Sequence, residues 1–372
     1  MNVRELLLLA HVPGIGPARL RALVSHFGDP RAVLEASAQS LTRVHGIDRT
    51  SAQAVVSTAR SPAFSAHERE VTAQLSKLSK AGGRIVTFWD ADYPENLKRI
   101  YDPPPYLWVL GAFSPRDASG IAVVGTRTPT PYGIQVAERM SAGLASLGLP
   151  VISGLARGID TAAHRAAVRV GGRTVAVIGS GIDVIYPPEN RGLAQSILQE
   201  GAVISEFEMG AKPDAANFPR RNRLVSGIAL GVLVIETGPG GGAMITAHLA
   251  LDQGREVFAI PSPVRQEVRS GTNTLIREGK ALLVESVDDI IAELAPRLGG
   301  VVPSDKPRPQ PTHPDLTLFE RRVFDALGEM PTHVDEICHR AGLSPSDTLV
   351  HLLTLEFKGA VRQMAGKLFA RL

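Results

Sequence analysis

The stretch "PVISGLARGIDTAAHRAAVRVGG", residues 150–172, decides how the chain is read. A short, apolar, β-branched strand runs into the Gly-rich turn "SGLARGID", residues 153–160, and then into a helix. Nucleotide-binding α/β domains present a phosphate loop in this way. Glycines let the backbone come close to a ligand, and the N–H groups at the helix start face an anion. Two further turns follow the same plan, "VVGTRTPTPYG" at 123–133 and "VIGSGIDVIYP" at 177–187. Outward from them, the candidate strands are "RIVTFW", "IAVVG", "PVISG", "TVAVIG", "AVISEF", "GVLVIE", "EVFAIP" and "ALLV". Amphipathic segments such as "YGIQVAERMSAGLASLG" lie between most of them. Short apolar strands alternating with helices predict an α/β fold, an extended Rossmann-like, doubly wound parallel sheet over residues 84–295.

Strand ends on one edge of such a sheet converge on a ligand crevice. The turns bring Gly125 and Arg127, and Gly154, Arg157 and Gly158, to that edge. The set Gly179-Ser-Gly181 lacks the third glycine of a dinucleotide fingerprint and the acidic residue about 20 positions onward, so no nicotinamide cofactor is expected. The segment "NFPRRNRLVSG", 217–227, places Arg220, Arg221 and Arg223 beside Phe218, with Lys212 shortly before. Guanidinium groups pair with phosphate and an aromatic ring stacks on a base, which is what a single strand needs. The alternative is a solvated basic loop with Phe218 in the core, and the arginine before "LVSG" could instead pair with Glu206 or Glu236. Asp160, Glu206 and Glu236 sit near the crevice and are read as structural, with a hydrogen bond expected between Asp160 and His164 one helical turn on. No Ser-His-Asp set, metal-ligand spacing or Walker lysine motif occurs, so no catalytic residue, cofactor or metal is expected.

The rest of the chain bounds the class. Its 372 residues predict two or three domains. The 40 basic and 37 acidic residues give a net charge of only +3, which leaves room for a local basic groove. The single cysteine, Cys338, excludes an internal disulfide and a cysteine-cluster zinc site. "LLLLA" is too short for a signal peptide and no apolar run reaches about 18 residues, so a cytoplasmic protein with no membrane contact is expected. Residues 1–83 read as an all-α, helix-hairpin-helix/SAM-like domain. "VPGIGPARLRAL", 12–23, is the hairpin, and "RVHGIDRTSAQAV" is a degraded copy with Asp48 at the second glycine. Such glycines expose N–H groups to a DNA phosphate, and an acid there opposes it, which inclines the module toward protein contact. Residues 296–314 hold six prolines in nineteen positions and read as a linker. Residues 315–372 read as helix, helix-turn-helix and two strands around Ala365–Gly366, a winged helix. Seven acidic and seven basic residues over 316–372 are a poor footprint for DNA, so partner or self-association is the expected use.

The segments "DADYPENLKRIYDPPPYLWVLG", "IAVVGTRTPTPYG", "VISGLARGIDTAAHRAA", "GGRTVAVIGSGIDVIYPPEN", "ISEFEMGAKPDAANFPRRNRLVSG", "VLVIETGPGGGAMITAHLAL" and "GREVFAIPSPV…GTNTLIREG" closely resemble the DprA/Smf (DNA-processing protein A) family. The resemblance implies a non-enzymatic recombination mediator. It would coat incoming single-stranded DNA and load RecA during natural transformation, or in repair. It implies that Arg127, Lys212 and Phe218 line the DNA pocket, that the "FPRRNR" arginines add backbone contacts, and that the Rossmann domain forms a homodimer, around "GTNTLIREG". The chain departs from the family in carrying "GGAMITA" for "SGSLITA", "GTR" for "GSR", and Lys280 in place of a small residue. Two other readings stay open. One is a Rossmann-like nucleotide phosphoribohydrolase of the lysine-decarboxylase-like type, using the "GPGGGAMIT" loop and a Glu. The other is a pure assembly module whose terminal domains recruit partners.

Overall fold

A computed structural model describes residues 1–62, 64–263, 271–298, 316–328, 331–358, 360–364 and 366–371. The chain divides into two compact units, Met1–Val302 and Pro303–Leu372.

The first unit opens with six helices: α1 (Val3–Ala10), α2 (Pro17–Phe27), α3 (Pro30–Glu35), α4 (Ala38–Leu41), α5 (Arg49–Arg60) and α6 (Phe64–Lys80). Leu6, Leu9, Leu20, Leu23, Leu41 and Val55 recur at helical spacing and close a core of their own. The loops 11–16 and 42–48 are two copies of one hairpin, each turning on a glycine in the left-handed region, Gly14 (φ +81°) and Gly46 (φ +82°). Arg19 joins the copies. Its Nη1 donates to the Gly14 carbonyl at 2.9 Å and to Ser51 Oγ at 2.8 Å, and its Nε donates to the Gly46 carbonyl at 3.0 Å. Asp48 caps α5 by accepting from Ser51 N at 2.7 Å.

The sheet follows: β1 (Gly83–Thr87), α7 (Glu95–Lys98), β2 (Tyr106–Gly111), β3 (Ile121–Val124), α8 (Pro131–Ser146), β4 (Val151–Ser153), α9 (Ile159–Arg169), β5 (Thr174–Ile178), α10 (Arg191–Ile197), β6 (Ala202–Ser205), α11 (Asn217–Ile228), β7 (Gly231–Val234), α12 (Gly242–Asp252), β8 (Glu256–Ala259), α13 (Gly271–Arg277), β9 (Leu282–Leu283) and α14 (Val287–Leu298). Strand order is β1-β2-β6-β5-β4-β3-β7-β8-β9. From β6 to β9 all pairings are parallel, and β1 and β2 extend that edge in antiparallel fashion. Alternate strand residues face opposite layers. Ala122, Ile152 and Val232 pack with Leu224 of α11 and Ala247 of α12. Ile121, Val123 and Val151 pack with Met140 of α8, Ala163 of α9 and Leu294 of α14. The sheet is therefore wound on both faces, as expected. β2 was not among the expected strands. The three residues of α14 that fall inside the expected linker, Pro296 to Leu298, are helical, and Leu298 is buried. The rest of that segment, residues 299–314, lies outside the described residues.

The N-terminal helices and the sheet share one body. Leu7 and Leu8 of α1 and Leu78 of α6 bury against Trp108, Ala176 and Val203. His11 completes the seam. Its ring sits 2.8 Å from the Leu7 carbonyl through Nδ1 and 3.2 Å from Glu208 Oε1 through Nε2. The bond to Glu208 raises the His11 pKa from 6.5 to about 9.

Among its described residues the second unit holds α15 (Leu318–Ala326), β10 (Thr332–His333), α16 (Val334–Ala341), α17 (Pro345–Phe357), β11 (Val361–Met364) and β12 (Leu368–Arg371), a winged helix in sheet order β10-β12-β11. Of the expected turn Ala365–Gly366, Ala365 lies outside the described residues and Gly366 has φ +84°. Leu352 and Leu355 of α17 face the core, while Leu349, Val350, Leu353 and Phe357 face outward and are exposed.

The seam makes a prediction. A histidine whose folded pKa lies above its unfolded value stabilises fully below about pH 6.5 and loses that contribution as pH rises through about 9. The melting temperature of the parent should exceed that of His11→Ala at pH 7, and the gap should narrow by pH 10, as read by thermal denaturation.

Candidate nucleic-acid interface

The site is built on the turn after β4. Gly154 N and Ala156 N donate to Asp160 Oδ2 at 3.1 and 3.3 Å, so the carboxylate braces the turn from the first turn of α9. Asn190 Nδ2 donates to the Leu155 carbonyl at 2.9 Å and to Thr161 Oγ1 at 2.7 Å. These bonds hold Leu155, fully buried, at φ +57°, a conformation that costs a leucine about 1 kcal/mol or more. Burial pushes the Asp160 carboxyl above its usual range, and the Arg221 guanidinium pulls it back.

The glycines admit protein neighbours. A Cβ at Gly125 would stand 2.5 Å from Ile159 Cγ1. A Cβ at Gly154 would overlap the Arg221 guanidinium, and one at Gly158, which has φ +79°, would overlap the Thr126 carbonyl. Turns after β3 and β4 thus interlock with each other and with α11. His164 differs from expectation. Its Nδ1 lies 2.7 Å from Thr174 Oγ1 rather than on Asp160. That hydroxyl already donates to the Val151 carbonyl at 2.6 Å, so Nδ1 carries the proton. Burial and Arg221 push the His164 pKa down to about 3, so the ring is neutral.

Strand order reverses between β3 and β7, and a cleft of ≈ 450 Å³ opens there at the carboxyl ends of the strands. Gly125 and Arg127, Gly154 and Asp160, Phe218 and Arg221, and the start of α12 at Gly241–Gly242 form its walls. The N-terminus of α12 carries partial positive charge toward it. Arg127 is exposed and its guanidinium lies 4.6 Å over the Phe218 ring. Phe218, half-buried, rests at the turn after β5, with the Tyr186 ring 6.4 Å away.

The other expected residues separate. Arg220 is exposed, 5.5 Å over the Phe207 ring, and Lys212 is exposed in the segment before α11. Arg157, also exposed, is held by Glu189 at 2.6 Å and is not a wall of the cleft. Arg221 is buried on the cleft floor, with Nη1 donating to the Val177 carbonyl at 2.8 Å. Arg223 is taken up inside the protein: its Nε pairs with Asp102 at 3.2 Å and its Nη2 with Glu206. The structural alternative of an arginine on Glu206 is therefore the one Arg223 follows. Glu236 accepts from Thr130 N at 3.1 Å and Thr130 Oγ1 at 2.8 Å, which holds the residue that caps α8. Sequence reasoning missed Tyr186, which the "IYP" ending of the third turn places beside Phe218.

The sequence model of the DNA recombination-mediator protein A family matches residues 84–295. The chain belongs to that family. The DprA winged helix domain matches residues 306–367, and the SAM-like helix-hairpin-helix tandem matches residues 6–61. Protein Smf of Synechocystis sp. is 32% identical over 394 residues, covering 97% of each chain. The X-ray structure of DNA processing protein A from Streptococcus pneumoniae is 33% identical, with a TM-score of 0.65 over 79% of this chain and 98% of that one. That of Helicobacter pylori, described for its unique single-stranded DNA binding mode, is 28% identical with a TM-score of 0.52, over 58% of this chain and 98% of that one. Membership carries a DNA-processing, recombination-mediator role.

The interlocked turns make a second prediction. Gly154→Ala must displace a buried guanidinium and should cost about 3 kcal/mol in denaturant unfolding. Gly240→Ala, in open space on the same edge, should fall within about 0.5 kcal/mol of the parent.

Proposed function

We propose that the cleft and its rim bind single-stranded DNA without turnover, and that the protein protects incoming strands and loads RecA onto them in natural transformation or repair. The observation that carries this reading is the Arg127 guanidinium seated on the Phe218 ring at the mouth of the switch-point cleft. A ring capped by a fixed cation offers a face to any base and a charge to its phosphate, which is sequence-tolerant recognition. Arg220 and Lys212, both exposed outside the cleft walls, are proposed to add backbone contacts. Arg221 serves as the floor that holds Gly154, and Arg223 anchors α11. Gly125, Gly154 and Gly158 act through the shape of the turns.

The hydrolase reading would need a carboxylate at the cleft. Asp160 is engaged by two turn amides and Glu236 by Thr130, which favours binding. Incubation with nucleoside monophosphates should release no free base, and release would favour the hydrolase. A homodimer through the sheet edge is supported by Leu282 and Leu283, both exposed on β9. The apolar outward face of α17 supports protein contact by the winged helix.

Two measurements test the reading. Arg127→Ala should weaken oligo-dT binding and lower the salt slope by roughly 0.7, the share of one phosphate on a single strand. Phe218→Ala should cost about 1–3 kcal/mol with little change in slope. Parent-level binding by both would reject the site. Leu283→Lys should lower the sedimentation coefficient to that of a monomer if β9 is the homodimer edge.

A further inference from the structure

Three side chains, Tyr186, Arg157 and Glu189, continue outward from the Arg127–Phe218 pair. The sequence in space is Arg127, Phe218, Tyr186, Arg157, Glu189: cation, ring, ring, cation, carboxylate. Arg127 lies 4.6 Å over Phe218, Phe218 lies 6.4 Å from Tyr186, and Arg157 lies 6.0 Å over Tyr186. Tyr186 is 39% exposed, so its ring is open to a partner. The two halves have the same composition, a guanidinium over an aromatic ring, and they come from different turns, after β3 and β4 for the cations and from α11 and the turn after β5 for the rings. They differ in one respect. Arg127 has no carboxylate partner among the described ion pairs, whereas Arg157 meets Glu189 twice, Nε to Oε1 at 2.6 Å and Nη2 to Oε2 at 3.4 Å. Both partners are about half exposed.

We propose that Tyr186 and Arg157 form a second subsite for the same single strand, and that Glu189 is its internal competitor. The inference rests on the reading of the Arg127–Phe218 pair as a strand-binding site. A base stacks on Tyr186, and the adjoining phosphodiester takes the Arg157 guanidinium from the Glu189 carboxylate. An exposed ion pair is weakly held, so a phosphate can replace it. The carboxylate matches the bidentate geometry that phosphate would use, and it keeps Arg157 ordered over Tyr186 until a strand arrives. Glu189 therefore lowers affinity at this subsite and selects for ligands that bring both a base and a phosphate to it.

The test is a mutant cycle on the full chain, read by fluorescence anisotropy with oligo-dT at several salt concentrations. Glu189→Gln should tighten binding about two- to five-fold, from the modest energy of an exposed pair. The gain should vanish when Arg157→Ala is also present. A gain of the same size with and without Arg157 would reduce Glu189 to a general negative charge and overturn the proposal. Tyr186→Ala should weaken binding about tenfold or more, within the range of one lost stack, and Tyr186→Phe should restore it. On an oligomer of abasic sites the Tyr186→Ala loss should shrink. If Arg127→Ala and Phe218→Ala weaken binding while Glu189→Gln and Tyr186→Ala do not alter it, the second subsite is wrong and the first stands. If none of the four alters it, the first reading fails with the second.

Discussion

A buried guanidinium organises the carboxyl edge of the sheet. Arg221 reaches from α11 beneath the turn after β4, fills the space a side chain at residue 154 would take, and bonds to the Val177 carbonyl of β5. Burial alone disfavours its charge, and the Asp160 carboxylate supports it. The same carboxylate organises the turn amides, so charge balance and backbone geometry are one constraint. With α11 fixed in this phase, Phe218 comes to the cleft mouth, under Arg127, and Arg223 turns inward to Glu206. The arrangement of the cleft mouth follows from where a charge had to be neutralised.

The modest net charge acquires meaning from this division. Many cations of the sheet unit are committed to internal acceptors: Arg173 to Asp117 at 2.6 Å, Arg223 to Glu206, Arg19 to the hairpin carbonyls. Arg127, Arg220 and Lys212 remain exposed. Which arginines take structural partners is a local matter that a sum over the chain cannot register.

Much of the fold is legible in the sequence because parallel strands buried on both faces are short, apolar and β-branched. "IAVVG", "TVAVIG" and "GVLVIE" announce themselves in this way and become β3, β5 and β7. "YLWVLG" has the same character but follows three prolines, and its place as the antiparallel link between β1 and β6 depends on partners about 25 and 95 residues away in sequence. The site was legible in its turns and less so in its side chains. Three arginines within four positions look like one cluster, yet a helix sends neighbouring side chains about 100° apart, and only packing decides which of them meets solvent. Tyr186 carried no cue beyond its turn, since only folding sets it beside Phe218, a residue of a different crossover.

Arg19 has a consequence for the N-terminal helices. The two hairpins are separated in sequence by α2, α3 and α4 and share one core. One guanidinium that bonds to a carbonyl in each makes them a caliper set at a single gap. Any surface that meets the first jaw meets the second at a distance it cannot adjust. With Gly16 at one helix start and Asp48 at the other, only one jaw carries a carboxylate, so the caliper also has a front and a back.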